Sequence, residues 1–173
     1  MAQVSSTRKH VISILLANEA GVLSRVSGLF SARGYNIESL VVAPTNNPVF
    51  SRMTIVTVGG DKLAEQVIKQ LNKLVDVAAV SDLGEDRHVE REMLMLKVAH
   101  DGSDADRARL DQLVVEHGAG VIEYVERVCI VQMTASSKQI DAFIEAMEKR
   151  RDIREIARSG VISLGRGDAV LTA

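Results

Sequence analysis

The sequence predicts an α+β protein built from two βαββαβ units in tandem, because short β-rich runs alternate with segments of helical periodicity. The same order of elements occurs in each half of the chain. When the halves are aligned on it, Val67 corresponds to Phe143 and Leu71 to Met147, so the apolar face of the second helix recurs. Each unit therefore has the element order of a ferredoxin-like fold.

The composition is that of a globular protein without a surface for nucleic acid. The 173 residues are 46% hydrophobic and 25% charged, which is enough apolar material for two small cores. The net charge is -2 and only 3% of residues are aromatic. Such a chain lacks the cationic surface that binds phosphates and the rings that stack on bases. We therefore expect no nucleic-acid partner.

Cysteine content and apolar run lengths indicate the compartment. Cys129 is the single cysteine, so it cannot form an internal disulfide, and its apolar neighbours indicate a buried strand position rather than a nucleophile. No run approaches the eighteen or so apolar residues of a membrane span, and residues 1–10 lack the apolar stretch of a secretory signal. We expect a cytoplasmic protein with no membrane partner.

The first strand and helix are predicted from residues 10–33. Residues 10–17, HVISILLA, are rich in β-branched and aliphatic side chains and predict a strand that ends at the turn NEAG. Beyond Gly21 the apolar residues recur at helical spacing up to Arg33, and Gly34 is a suitable helix stop because it tolerates positive φ. The apolar face of this helix consists of Val22, Leu23, Val26, Leu29 and Phe30.

A hairpin, a second helix and a last strand complete the first unit. Residues 35–43 and 50–58 predict two antiparallel strands around the turn-rich residues 44–48. Asp61 is placed to cap the second helix, and residues 77–83 predict the last strand. The apolar face of this second helix consists of Leu63, Val67, Ile68, Leu71 and Leu74.

The second half repeats this order and defines a second domain. The predicted strands are residues 93–99, 120–126, 128–134 and 153–159, and the predicted helices are residues 104–118 and a segment capped by Ser136 or Ser137. The charged residues 84–92 separate the halves, so we predict domains at 1–85 and 86–173. A sheet with helices on one face leaves its other face and its edges uncovered, and dimerisation is the natural remedy.

No catalytic or metal-binding pattern is visible in the sequence. Nucleophile-elbow, dinucleotide-binding and P-loop motifs are absent, and GRG at residues 165–167 is interpreted as a turn. The carboxylates of Glu90, Glu92, Glu145 and Glu148 lie in charged, solvated stretches. The four histidines are far apart in sequence and outside any metal-ligand spacing: His10, His88, His100 and His117.

The start of the first helix is the one feature that indicates a ligand. A helix N-terminus has unpaired N–H groups and a partial positive charge, and Gly21 offers these groups to an anion without a side chain in the way. Asn18 and Asn36 add amide donors and acceptors that suit the two charged ends of an amino acid. The alternative is that Gly21 only makes the turn and that both asparagines satisfy local backbone groups.

Four stretches of sequence carry a resemblance to a known family. NEAGVLSRVSGLFSARGYNIESL, SRMTIV, QLNKLVDV and REIARSGVISLGRG resemble the regulatory small subunit of acetolactate synthase, also called acetohydroxyacid synthase. The resemblance runs from His10 to about Asp168; it is dense over residues 18–83 and loose over residues 101–135. TASS, residues 134–137, stands where that family often has a glycine-containing turn.

This resemblance implies an ACT domain for the first unit and a regulatory rather than catalytic role. The effector in that family is a branched-chain amino acid, with valine the foremost candidate, bound between the ACT domains of a homodimer. Carried over, the site comprises Asn18, Gly21, Val22 and Leu23 of one chain with Asn36 and Ile37 of its partner. The resemblance also implies that thiamine diphosphate, magnesium and FAD belong to the catalytic large subunit, and that this chain holds no cofactor.

Two other functions stay open at this point. The chain could be a stand-alone ACT-type sensor that regulates another enzyme or a transcription factor, or a small ferredoxin-like enzyme. Arg33 and Arg52 are candidate exposed contacts with a catalytic subunit. We also expect Gly21→Asp to reduce effector inhibition strongly, with little loss of stability provided that Gly21 does not require positive φ.

Overall fold

The chain folds into two compact units, as seen in a computed structural model that describes residues 7–84, 87–168 and 170–173. The second unit is Glu90–Gly160, and the first contains the rest of the described chain. Both units have the predicted βαββαβ order and antiparallel sheets, which confirms the α+β, ferredoxin-like fold class.

In the first unit, two helices cover one face of a four-stranded sheet with strand order β2-β3-β1-β4. Its core lies between that face and the helices and contains Ile12, Ile14, Phe30, Met53 and Val67. The elements are β1 (Arg8–Ala17), α1 (Val22–Arg33), β2 (Ser39–Pro44), β3 (Phe50–Gly59), α2 (Asp61–Leu71) and β4 (Val77–Asp82).

The second unit repeats this architecture with strand order β6-β7-β5-β8. Phe143 and Met147, like Val67 and Leu71 with which they align, are fully buried. Cys129 is also buried, as predicted, and burial raises the pKa of its thiol to about 11. The elements are β5 (His88–Ala99), α3 (Asp104–Glu116), β6 (Gly120–Val125), β7 (Val128–Ala135), α4 (Ser137–Glu148) and β8 (Ile153–Arg158).

The structure corrects two local predictions in the first unit. Asp61 does not cap α2, because Gly60 occupies the N-cap position and the Asp61 carboxylate accepts a hydrogen bond from Arg8 Nε at 2.7 Å. The strand β2 begins four residues later than predicted. Tyr35 instead packs edge-on against Phe30, with 6.2 Å between ring centroids. The chain at Tyr35 therefore packs against the core and joins the sheet only at Ser39.

The C-terminal segment departs from the predicted domain division. Val161 is buried with Val11, Val56 and Leu83, and residues 161–168 and 170–173 group with the first unit although the sequence assigns them to the second domain. A ninth strand, β9 (Ile162–Gly165), pairs with β5 and was not predicted. Four residues are too few to show a period, so this strand could not be recognised from hydrophobic periodicity.

Candidate functional site

The helix α1 begins without a side-chain cap, as the sequence predicts. Gly21 is the N-cap residue, and no side chain accepts a hydrogen bond from the first turn. The Val22 N–H reaches the Glu19 carbonyl only at 3.5 Å. Within the described residues, the N–H groups of Leu23 and Ser24 have no acceptor. This helix end therefore presents two backbone donors to solvent.

Gly21 also has a conformational reason to be glycine. Its φ is +86°, in the left-handed region that residues with a Cβ adopt at a cost. A Cβ built at this position would lie 3.2 Å from Nη1 of Arg25. Because Gly21 adopts positive φ, the condition attached to Gly21→Asp is not met, and a loss of stability is expected for that variant. The turn interpretation and the anion interpretation of Gly21 are both compatible with this geometry.

Arg25 lies at this helix end and was missed by the sequence analysis. Its Nε donates to Asp76 Oδ2 at 2.6 Å, and this hydrogen bond raises the pKa of the guanidinium above its ordinary value. The arginine therefore stays charged beside the free N–H groups, and about half of its side chain is exposed. Its position four residues after Gly21, one turn into the helix, is the signal that could have identified it.

Asn18 is engaged within its own chain. Its backbone N–H donates to the Val49 carbonyl at 2.8 Å, and its Nδ2 donates to the Pro48 carbonyl at 3.1 Å. Its Oδ1 accepts a hydrogen bond from Ser51 Oγ at 3.0 Å. The asparagine thus fixes the end of β1 to the loop before β3, which matches the local-backbone interpretation and also determines where the NEAG turn starts.

Asn36 and Ile37 lie at the opposite end of α1 from Gly21. The helix has 12 residues and is about 18 Å long, so one chain does not bring the two halves of the predicted site together. Asn36 Nδ2 donates to Glu38 Oε1 at 2.5 Å, and Thr57 Oγ1 donates to the Asn36 carbonyl at 2.7 Å. A site that contains residues of both groups requires two chains.

The apolar residues of the predicted site differ in what they can contact. Val22 is 2% exposed and packs in the core, so only its backbone faces the helix end. Leu23 is 45% exposed and offers an aliphatic surface beside the free N–H groups. Ile37 is partly buried against the core.

The two arginines suggested as exposed contacts have different environments. Arg33 is exposed at the end of α1. Arg52 is partly buried, and its Nη2 donates to the Ser163 carbonyl at 3.3 Å, so the suggestion that it is an exposed contact is wrong. The strand alternation explains this difference, since Arg52 points to the sheet face that residues 161–165 cover.

The described residues show neither a metal-binding cluster nor a membrane-spanning helix. No group of three or more His, Cys, Asp or Glu side chains in these residues is arranged to hold a metal ion. No helix in the described part of the chain is long and apolar enough to cross a membrane.

Comparison with known proteins identifies the family. Residues 12–79 match the AHAS small subunit-like ACT domain, and residues 91–167 match the small subunit of acetolactate synthase. The acetolactate synthase isozyme 3 small subunit of Escherichia coli K12 is 47% identical over 163 residues, which cover 94% of this chain and 99% of that protein. The chain belongs to the acetolactate synthase small-subunit family.

Other members of the acetolactate synthase small-subunit family agree with this assignment. The small subunit of Haemophilus influenzae is 44% identical over 160 residues, covering 92% of this chain and 97% of that protein. The crystal structure of the Thermotoga maritima acetolactate synthase small subunit superposes with a TM-score of 0.82 at 35% identity, covering 94% of this chain and 99% of that one. The first unit is thus an ACT domain, and the chain is a regulatory subunit rather than a catalyst.

Proposed function

We propose that this chain binds and activates the catalytic subunit of acetolactate synthase and makes it sensitive to inhibition by branched-chain amino acids, valine foremost. The names of its relatives support a catalytic partner. The observation that carries the sensing role is the start of α1, where the free N–H groups of Leu23 and Ser24 lie beside the charged Arg25 in an ACT domain.

This helix end has the chemistry to hold a carboxylate. Two backbone donors, the positive end of the helix dipole and a guanidinium converge there, and Gly21 leaves room for an anion to approach. Leu23 supplies an exposed aliphatic contact for the side chain of the amino acid. The α-ammonium needs an acceptor, which the amide oxygen of Asn36 of the partner subunit supplies in this proposal.

The binding free energy suits a sensor. Burial of a valine side chain contributes about 1.5–3 kcal/mol, and each charged end held by amides or a helix terminus contributes about 1–2 kcal/mol. After the cost of association, dissociation constants of roughly micromolar to millimolar remain. An end product can report its own concentration in that range.

The proposal requires a homodimer of ACT domains. Two features support it: the two halves of the site lie at opposite ends of α1, and β2 is an edge strand with an exposed Val42. An edge strand presents unpaired backbone groups that a second copy can satisfy. Joining two sheets at this edge offers a way to bring Asn36 and Ile37 of the partner subunit to Gly21.

The remaining parts of the proposal concern cofactors and location. Thiamine diphosphate, magnesium and FAD are assigned to the catalytic subunit, and this chain contributes regulation alone. The free, buried Cys129 supports a reducing cytoplasm as the place of action.

A reconstitution assay tests the proposed function. The chain is mixed with a purified acetolactate synthase catalytic subunit, and pyruvate consumption is followed with and without valine, leucine and isoleucine. Activation by the chain, followed by inhibition with added valine, is the expected result. Binding of valine without activation would indicate a sensor for another protein, and turnover by the isolated chain would indicate an enzyme.

A further inference from the structure

Residues 161–165, here called the strap, lie on the face of the ACT sheet that the helices leave open. Val161 is 3% exposed and packs with Val11, Val56 and Leu83. Val11 and Val56 alternate along their strands with Ile12 and Ile55, which face the helices, so the strap lies on the opposite side of the sheet.

The strap is seated with its less apolar side inward. Val161 and Ser163 are buried, whereas Ile162 and Leu164 are 56% and 62% exposed. A strand that packs on a sheet normally buries its larger apolar side chains and exposes its polar ones. Burial of Val161 and Ser163 therefore stabilises this position of the strap less than burial of Ile162 and Leu164 would.

Polar atoms on the strap and on the sheet face against which it packs lack hydrogen-bond partners. Among the described residues, Ser13 Oγ, Ser163 Oγ and Arg52 Nε are buried and unpaired. Ser13 is paired in register with Thr54, which places Arg52 diagonally beside it on the same sheet face. Burial lowers the pKa of Arg52, because its charge has lost water. Each of these groups would regain hydrogen bonds to water if the strap lifted.

The strap pairs with β5 as strand β9, but few polar contacts hold it to the ACT sheet, and glycines flank it. The Val161 N–H donates to Ser39 Oγ at 3.4 Å, and Arg52 Nη2 donates to the Ser163 carbonyl at 3.3 Å, both long for hydrogen bonds. Gly160 and Gly167 have φ of +82° and +67°, so the chain changes direction at both ends of the segment. Glycines at such positions absorb backbone changes easily.

The strap touches the same strand residues that anchor one half of the proposed effector site. The Glu38 N–H donates to the Val56 carbonyl at 2.8 Å, and Val56 packs against the strap through its side chain. Ser39, which bonds the strap, is two residues after Ile37. Asn36 and Glu38 are thus bonded to β3, and Ser39 is bonded to the strap.

We propose that the strap is a two-state element, seated when the effector holds residues 36–39 in place and released when the effector leaves. The coupling to effector rests on the proposed function, whereas the opening itself does not. The strap contacts Ser39 directly and packs on Val56, to which Glu38 is bonded. In this proposal an effector that holds residues 36–39 therefore favours the seated strap, and a more stable seated strap favours effector binding. The released strap frees the chain directly after Gly160, the last residue of the second unit.

Thiol labelling of the full chain tests the opening. Ser13→Cys places a thiol on the sheet face against which the strap packs, and Ser163→Cys places one on the buried side of the strap; both substitutions are close to isosteric. The native Cys129, buried in the core of the second unit, is the internal control that reacts only on unfolding of that unit. We expect both new thiols to react with a maleimide at least about tenfold faster than Cys129. Labelling no faster than Cys129 would overturn the proposal.

Valine tests the coupling in the same experiment. We expect saturating valine to slow labelling of both new thiols about threefold or more, with binding measured separately by calorimetry. If valine binds and the rates do not change, the coupling is wrong. If valine does not bind, the proposed function fails and the coupling fails with it, while the labelling rates without valine still decide whether the strap opens.

Reconstituted enzyme supplies the functional test. Val161→Ala removes part of the buried patch and is expected to raise the valine concentration for half-inhibition about threefold or more, with activation unchanged in the absence of valine. Ile162→Ala, on the exposed side of the same strap, is the matched control and is expected to leave the half-inhibitory valine concentration unchanged. The same half-inhibitory valine concentration in both variants would contradict a role for the buried side of the strap in valine inhibition.

Discussion

At the scale of single residues, Gly21 combines a conformational and a chemical role. Its positive φ makes the turn into α1, and the missing side chain exposes the first N–H groups of the helix. These roles are separable, because backbone strain changes stability whereas a filled anion site changes inhibition by the effector. Stability and effector sensitivity must therefore be measured side by side.

Gly21→Asp is expected to abolish most inhibition by valine and to lower the free energy of unfolding by about 1–2 kcal/mol. The new carboxylate occupies the place of the effector's carboxylate and lies within reach of Arg25. Activity against valine concentration in the reconstituted enzyme, beside a thermal melt, provides both measurements. Gly118→Asp, also at positive φ with open space around it in the second unit, controls for strain. Full inhibition with an unchanged midpoint in Gly21→Asp would show that no carboxylate binds here.

Arg25→Gln is expected to weaken valine inhibition about tenfold or more without loss of the fold, because it removes the guanidinium beside the free N–H groups. The half-inhibitory valine concentration is the measurement. Lys62→Gln removes an exposed positive charge on α2 and is the matched control. Similar shifts in both variants would assign the effect to net charge rather than to the site.

At the scale of elements, the helices differ in how their N-termini are satisfied. Ser103 Oγ accepts a hydrogen bond from the Asp106 N–H at 3.1 Å at the start of α3, and Gln139 Oε1 accepts one from the Ser136 N–H at 3.2 Å at the start of α4. Such caps stabilise a helix by about 1 kcal/mol. Neither α1 nor α2 has such a contact. At α2 the Leu63 N–H donates to the Gly60 carbonyl at 2.9 Å, whereas the N–H groups of Leu23 and Ser24 at the start of α1 have no acceptor among the described residues, which is consistent with a helix end available to a ligand.

The start of α3 is also tied to the end of α4 by a charged pair. Arg151 Nη1 donates to Asp106 Oδ1, and both side chains are 11% exposed. This hydrogen bond, with one from the Asp101 N–H, holds the pKa of Asp106 below its ordinary value. A carboxyl group whose pKa is lowered by folding contributes stability above its unfolded pKa of about 3.9, and this contribution is lost as pH falls towards the lower folded value.

Asp106→Asn is expected to destabilise the protein by about 3 kcal/mol at pH 7, because it leaves Arg151 buried without its anionic partner. The difference in free energy of unfolding between the variant and the parent is expected to shrink below about pH 4, where the parent carboxylate becomes protonated. Urea unfolding of both proteins at several pH values measures this difference in free energy of unfolding. A difference independent of pH would mean that the ion pair contributes no stability. Asp104→Asn, exposed in the same turn, is the control.

At the scale of the whole molecule, the ACT domain includes residues from both ends of the chain. The patch of Val11, Val56 and Leu83 is closed by Val161, which follows the second unit in sequence. An isolated first domain keeps its helix-covered core but exposes this patch. Removal of one buried valine contact corresponds to about 1.5–3 kcal/mol.

Residues 1–85 are predicted to fold alone and to dimerise, with a free energy of unfolding about 2 kcal/mol lower than that of the same unit in the full chain. Circular dichroism tests the fold, gel filtration the dimer, and calorimetry the retention of valine binding. A soluble monomer or an unfolded fragment would contradict this prediction. Val56→Ser in the fragment, which makes the exposed patch less apolar, is the control for aggregation.

Features that depend on interactions between near neighbours in the chain could be predicted from the sequence. The bounds of α1, the glycine stop at Gly34 and the missing cap at Gly21 were all predicted, because periodicity and capping involve residues a few positions apart. The element order and most of the buried helix faces follow from the same local patterns, but Leu23, which was predicted on the apolar face of α1, is 45% exposed. The resemblance to the acetolactate synthase small subunit was carried by continuous stretches and is confirmed.

Features that depend on contacts between residues far apart in sequence became visible only in the folded chain. Arg25 is fixed beside Gly21 by Asp76, and the strap reaches the ACT sheet from beyond the second unit. Tyr35 enters the core and delays β2, which separates Asn36 from the strand predicted to contain it. These placements result from packing and ion pairing between elements. Such interactions produce no periodic pattern in the sequence, so the pairs of side chains that contact each other are seen only in the folded chain.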